Sequence, residues 1–390
     1  MKSRQLRFHL IAAYTLAAAI LLLVPRTVAA QATTWSWHVE TVDGPANFPS
    51  MATDSQGNVH LAYWSDGLEQ KGLKYAFRKA TQGKWYNMFI THTGPAVTGI
   101  ALDSNENPHA CFTNGAVFYM AFDGTKWSGQ EIAPNSGTRS YECSVVVAKD
   151  GTPYVTWYHE FTASGVLYGH IKCAGLRDGQ WLVRTIDFDN QTGKWNSMAL
   201  DARGYPHVSY DSWDKGTMKY ASWDGKQWNI KPIASGITDP NDGDAHGMGS
   251  SMVMGPDGMP HISYIAFSRN IGGNAFLVYA QESGGKWTTQ RVDSLTSLGS
   301  WQGVRTSLAL DRNGFPHISY EDAGALKHAY WNGRAWQVQM IAASGLDPYP
   351  NNAIAVSPDN SIFISYRDPQ DGTLKVAVGK QVAVENQAKK

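Results

Sequence analysis

Two short stretches hold side chains suited to acid–base and anion chemistry. Arg139, Tyr141 and Glu142 lie in TRSYEC, and Tyr158, His159 and Glu160 in WYHEF. An arginine can grip a carboxylate through two parallel hydrogen bonds. A tyrosine or histidine beside it can serve as a general base. Paired carboxylates at a suitable separation serve glycoside hydrolysis. Arg305 and Arg367 are further catalytic candidates. Trp195, Asn196, Trp301, Glu321 and Asp322 are candidates for ligand contact. Asp239-Pro-Asn-Asp-Gly-Asp244 places Asp239, Asp242 and Asp244 in a Gly-containing acidic run. Such a run suits Ca²⁺, a hard cation that takes several oxygens, although the spacing is not that of the twelve-residue calcium loop. No other cofactor is expected. Each of these residues also has an ordinary reading, as a solvated loop side chain or an acidic turn.

The elements that must position them come from a repeat. SLALDRNGFPHISY (Ser307–Tyr320) rhymes with stretches beginning at Ser50, Gly99, Ser144, Ser197, Ser251 and Ala353. Each copy reads as a hairpin. An alternating strand meets a D-x-x-G turn, and a returning strand opens on or near Pro. After the hairpin, Met218–Ile233 and Leu326–Ile341 each read as a third strand, a D-G or N-G turn, and a fourth strand that opens on Trp. Four antiparallel strands make one blade of a β-propeller. The fourth strand carries Trp and, five residues on, Ile or Val. This spacing occurs after six hairpins, from Trp85/Ile90 to Trp336/Ile341. The last repeat stops after LKVAV, while Trp37/Val42 shows the same spacing before the first hairpin. The expectation is an all-β, seven-bladed propeller of four-stranded antiparallel blades. Its ring is closed by the N-terminal strand, which completes the last blade.

A repeated residue argues for structure, a unique one for function. His60, His109, His207, His261 and His317 occupy one column, with Tyr154 and Phe363 in the other two copies. These histidines, and the column Tyr75, Tyr119, Tyr220 and Tyr279, are expected to brace each blade. The tight turns fall on one face. The second-to-third-strand loops and the blade connections fall on the other, and they carry the length variation, YHEFTASGVLYGH among them. Variable loops on a rigid scaffold are where function usually sits.

Residues 1–30 have the form of a secretory signal peptide, with cleavage after residue 30 or 32. Its basic end precedes an apolar run too short to span a bilayer comfortably. Removing it takes away Lys2, Arg4, Arg7 and Arg26 and no acid, leaving 29 basic against 33 acidic residues, a net charge of −4. No basic face suggests nucleic acid. After signal removal no stretch is apolar enough for a membrane span. One domain is expected over residues 33–380, with a polar tail at 381–390, in a secreted or periplasmic monomer. Of the three cysteines, Cys111 stands where the repeat has Ser, and Cys173 where it has Tyr. A Cys111–Cys143 bridge would join adjacent blades, and the odd count leaves at least one thiol unpaired within the chain.

The copies SLALDRNGFPHISY and SMALDARGYPHVSY, each followed by L/M-K-x-A-x-W-x-G-x-x-W, resemble repeats of secreted bacterial β-propellers in the sialidase-like group. The D-x-x-G hairpin looks like a relative of the Asp-box, with the Asp four residues after the Ser. The resemblance spans about residues 35–378. It implies a glycan or cell-surface polysaccharide partner, and three arginines, Arg139, Arg305 and Arg367, that can converge. The leading functional expectation is glycan recognition on the loop face without catalysis. A carbohydrate-active enzyme, hydrolase or lyase, with its site in the central funnel is one alternative. A protein-interaction or envelope scaffold is the other.

Overall fold

The alternating stretches all form strands. A single 3-10 turn, Trp213–Lys215, is the only helical element among the described residues. The computed structural model describes residues 33–67, 70–94, 96–135, 138–233, 245–268, 275–296, 305–343 and 352–383. Trp35–Val382 cluster as one unit. Five sheets have four antiparallel strands each, over residues 97–133, 139–185, 197–232, 245–295 and 306–343. The other strands share one seven-stranded sheet, in which Thr33–Thr53 lies between Thr373–Ala383 and Val59–Ser65. The first half of that long strand packs on the last repeat. Trp37 covers Gly379, and Val42 joins Phe363, Leu374, Val376 and Val378 in one apolar cluster. The second half pairs with Val59–Ser65 from Ala46 to Thr53.

The turns that open on Asp are held as their chemistry requires. Asp54, Asp103, Asp201 and Asp311 each accept two backbone N–H groups, two and four residues on, at 2.7–3.0 Å. Gly57, Gly204 and Gly314 supply the positive φ at the end of the turn. The histidine column closes the same unit. The Nε2 atoms of His60, His109, His207, His261 and His317 lie 3.5–4.0 Å from the turn aspartates. On the other side of the ring, Nδ1 meets Tyr75, Tyr119, Tyr220, Tyr279 or, in the sixth copy, His328. Burial lowers the pKa of His60, His109, His207 and His261, so these imidazoles are neutral at pH 7.

Neighbouring sheets are joined by a repeated side-chain bond. The N–H groups of Ile100, Met198, Met252, Leu308 and Ile354 donate to Ser50, Ser144, Ser197, Ser251 and Ser307 of the preceding inner strand, at 3.0–3.1 Å. A second polar pair lies beside it, as in Ser209–Ser250 at 3.0 Å and Ser263–Thr306 at 2.7 Å. Between the 97–133 and 139–185 sheets the pattern changes. Gly99 replaces the serine, and Cys111 and Cys143 take the places of the second pair as a disulfide, Cα–Cα 6.2 Å. A Cβ on Gly99 would lie 3.0 Å from the Cys111 sulfur, so the small residue and the bridge belong together. Cys173 is a buried free thiol, its pKa pushed up to about 12 by burial.

The double variant Cys111→Ser/Cys143→Ser keeps a polar pair of the kind found at sister junctions but opens a loop of sequence separation 32. Its unfolding free energy should fall by about 3 kcal/mol, seen as a lower urea midpoint with a steeper slope, because the unbridged unfolded chain exposes more surface. An unchanged midpoint would mean that the bridge adds nothing the serine pair does not supply.

Candidate functional site

Glu142 sits at a β-bulge. The register of its strand, Arg139–Val147, shifts between Tyr141 and Cys143, and Glu142 has φ 52°. The bulge re-aims the side chain away from the pleat. One carboxylate oxygen accepts the Trp195 backbone N–H, and the other lies 3.6 Å from the Arg305 guanidinium. Trp195 leads into the 197–232 sheet and Arg305 into the 306–343 sheet. The Glu142–Arg305 pair therefore joins two sheets that are not consecutive in the chain. Burial pushes the Glu142 carboxyl above the usual carboxylate range, against the pull of Arg305, the Trp195 N–H and Lys194.

A layer of aromatic rings continues from this pair. Tyr141 and Tyr158 face each other with ring centres 6.3 Å apart, and the Arg139 guanidinium is 3.5 Å from the Tyr141 hydroxyl. Tyr158 is buried. Its hydroxyl donates to Gln191 at 3.0 Å, and the Lys194 ammonium lies 5.3 Å from its ring centre. A Cβ on Gly169 would lie 1.8 Å from that hydroxyl, so Tyr158 needs glycine opposite it.

The segment YHEFTASGVLYGH is not the loop expected from its length. It extends two strands, Pro153–Ala163 and Val166–Arg177, which pair without a break up to Ala163–Val166. Ser164 and Gly165, with φ 51° and 77°, make the two-residue turn. Two positive φ values suit a hairpin whose strands twist to the right. Adjacent residues on a strand point to opposite faces. Tyr158 and His159, candidates for one site, are thereby parted. His159 lies opposite His170, 3.4 Å from the Ser140 hydroxyl. Phe161 stacks between His159 at 5.8 Å and Tyr168 at 5.4 Å, and His170 meets Phe188 edge-on at 6.0 Å. Phe188 is 76% exposed. Four of these rings stand on the projecting hairpin, and Phe188, which follows the strand Gln180–Thr185, extends them into a shelf. Burial, Lys172 and their mutual proximity keep the His159 imidazole neutral, and burial and Lys172 do the same for His170.

The other candidates scatter. Asn196 accepts the Thr156 hydroxyl at 2.8 Å and donates to the Gly193 carbonyl at 3.1 Å, bracing a junction. Asp322 holds Lys327 at 2.8 Å and the Thr296 N–H at 2.8 Å. Glu321 precedes it at the end of the strand Pro316–Asp322. Arg367, at the end of Ile362–Arg367, lies over Gly372. Trp301, Asp239, Asp242 and Asp244 fall outside the described residues. Among the described residues no group of three or more His, Cys, Asp and Glu could hold a metal. Phe161, Tyr168, His170, Phe188, Lys194 and Gln191 are additions that the sequence reading does not reach. The alternation H-E-F and Y-G-H on either side of Ser-Gly is the available signal for the hairpin.

No protein-family model matches the chain, and no curated protein matches it in sequence. Solved structures do match in fold. One is an ulvan lyase of polysaccharide lyase family 25 bound to a glucuronate–rhamnose-3-sulfate unit. Its TM-score is 0.58 at 12% identity, over 87% of this chain and 95% of that one. Another is a fungal alcohol oxidase in complex with copper, TM-score 0.53 at 10% identity, over 89% and 76%. A third is a protein of unknown function from Dyadobacter fermentans, TM-score 0.51 at 13% identity, over 88% and 99%. The chain has an all-β, β-propeller-like fold of four-stranded antiparallel sheets, one that carries more than one chemistry.

Glu142→Gln keeps an acceptor for the Trp195 N–H and removes the ionisation. Because the folded-state pKa of Glu142 is raised, its contribution to stability is present below the unfolded value near 4.5 and declines as pH rises through the folded value. The melting-temperature difference, wild type minus variant, should therefore shrink as pH rises from 4 to 7. A difference that grows over that range would make Glu142 an ordinary salt-bridge carboxylate.

Proposed function

We propose that the protein is an exported β-propeller that recognises glycans through the aromatic shelf of its projecting hairpin, without catalysis. The observation that carries this reading is the run of half-buried and exposed rings from His159 through Phe161 and Tyr168 to His170 and Phe188. Flat rings suit the C–H faces of sugars, and the Lys172 ammonium beside His159 and His170 suits acidic ones. The polysaccharide-bound lyase among the neighbours is in keeping with a glycan partner. The residues expected in the funnel are engaged with one another, which favours binding over reaction. Glu142 and Arg305 contact each other, and the Tyr158 hydroxyl is committed to Gln191. The alternative of a carbohydrate-active enzyme rests on His159 and His170, two neutral imidazoles able to accept a proton on that same shelf.

A glycan array read by mass spectrometry separates the two. Recognition predicts bound glycans of unchanged mass, with Tyr168→Ala and Phe188→Ala each weakening capture roughly three- to tenfold. Products of altered mass would replace recognition by catalysis. Capture indifferent to both substitutions would remove the shelf from the reading.

We further propose that the seven-stranded sheet is two four-stranded blades sharing Thr33–Thr53, so that seven blades form a ring closed by its first half. The bond from the Thr53 hydroxyl to the Val356 carbonyl at 2.8 Å supports a junction there. Deleting Thr33–Gly44 should lower the melting temperature sharply and promote aggregation through the freed edge. A variant that melts like the parent would refute the closure.

A further inference from the structure

The junctions between sheets are filled by one recurring contact, and it fails in a revealing way. Tyr75, Tyr119, Tyr220 and Tyr279 each pack edge-on against the Trp of the next sheet's last strand, at 5.1–5.4 Å. Between the 139–185 and 197–232 sheets the tyrosine is replaced by Cys173 and the histidine beneath it by Tyr154, whose ring covers Gly175. The partner tryptophan, Trp228, is still present. A cleft with room for about 120 Å³ opens there, lined by Tyr154, Cys173, Trp223 and Trp228 and flanked by Arg177 and Arg184.

The lining is chemically distinctive. Arg184 lies over the Trp223 ring at 5.0 Å, which holds the guanidinium at the mouth, and Trp223 and Trp228 are 5.5 Å apart. Neither Arg177 nor Arg184 has an ion-pair partner among the described residues. Asp150 feels the charge of Arg177 only through space. The Trp228 indole N–H is buried without a hydrogen-bond partner among the described residues. Trp127 and Trp287 also leave that N–H unpaired, but each has its tyrosine packed against it. A comparable cleft opens where Phe363 and Val378 line the junction with the first repeat, but its Arg78 is gripped by Glu40 through two bonds of 2.7 Å. Of these two clefts, the first alone offers guanidinium groups without an ion-pair partner beside half-buried aromatic rings.

We propose that this cleft binds a single anionic sugar unit, a uronate or a sulfated sugar, at the edge of the fold. The tryptophans would stack on the ring, and Arg184 and Arg177 would take the carboxylate or sulfate, for which the guanidinium fork is suited. The site uses none of the shelf residues, and the inference stands independently of the shelf.

The test is a titration of the full chain with methyl β-glucuronide and with its neutral counterpart methyl β-glucoside, followed by tryptophan fluorescence and saturation-transfer NMR. The glucuronide should bind roughly tenfold more tightly than the glucoside. Arg184→Gln should bring the two to the same level. Cys173→Tyr should restore the Tyr–Trp contact of the sister junctions and fill the cleft, abolishing binding without lowering the melting temperature. Should that variant misfold, Arg184→Gln alone decides. Tyr168→Ala should leave glucuronide binding unchanged, and its loss there would assign the signal to the shelf instead. Absence of glucuronide binding, equal affinity for the two glycosides, or indifference to Arg184→Gln would overturn the proposal.

Discussion

The structure depends on how one inner strand meets the next. Packing sheet against sheet buries backbone N–H groups that are not part of any ladder, and an unpaired buried N–H is costly. The serine that begins each repeat supplies the missing acceptor. Its side chain is short enough to reach across without holding the sheets apart. Five junctions use it, and the second polar pair beside it doubles the connection. At the remaining described junction of this kind a disulfide takes over, and the serine gives way to Gly99 because sulfur needs the room.

The histidine column obeys the same logic one layer further out. An Asp that caps a turn, a neutral His and a Tyr form a buried polar stack that repeats from sheet to sheet. Each Nδ1 is hydrogen-bonded and each Nε2 lies 3.5–4.0 Å from a turn carboxylate, which helps to make burying such groups tolerable. Repetition is also what removes these residues from the list of functional candidates. A device present in most copies serves the scaffold, and the positions that break it are the ones free to do something else. Tyr154 with Cys173, and Phe363 with Val376, are such breaks, and Tyr154, Cys173 and Phe363 each line a cleft.

Much of this is legible in the residues. The Asp and Gly of each turn, the Pro at the returning strand and the Trp opening the fourth strand are local choices with local causes. The equivalence of Cys111 to Ser, and of Cys173 to Tyr, comes from aligning the copies. The hairpin at Ser164-Gly165 reads as a loop because its length exceeds that of its sisters, although its alternation is plain. The parting of Tyr158 and His159 is then a consequence of the pleat, which proximity in sequence conceals.

The repeat, the strand and turn chemistry, and the identity of the structural columns are all encoded locally, since they rest on periodicity and on the φ and hydrogen-bonding preferences of single residues. Tertiary structure decided which side chains meet. Glu142 reaches Arg305 from a sheet far away along the chain, Arg184 settles over Trp223, and the cleft exists because a tyrosine expected in one sheet is missing beneath a tryptophan of the next. Such encounters depend on the stacking of separate sheets and on the volume left between them, and no local pattern encodes either.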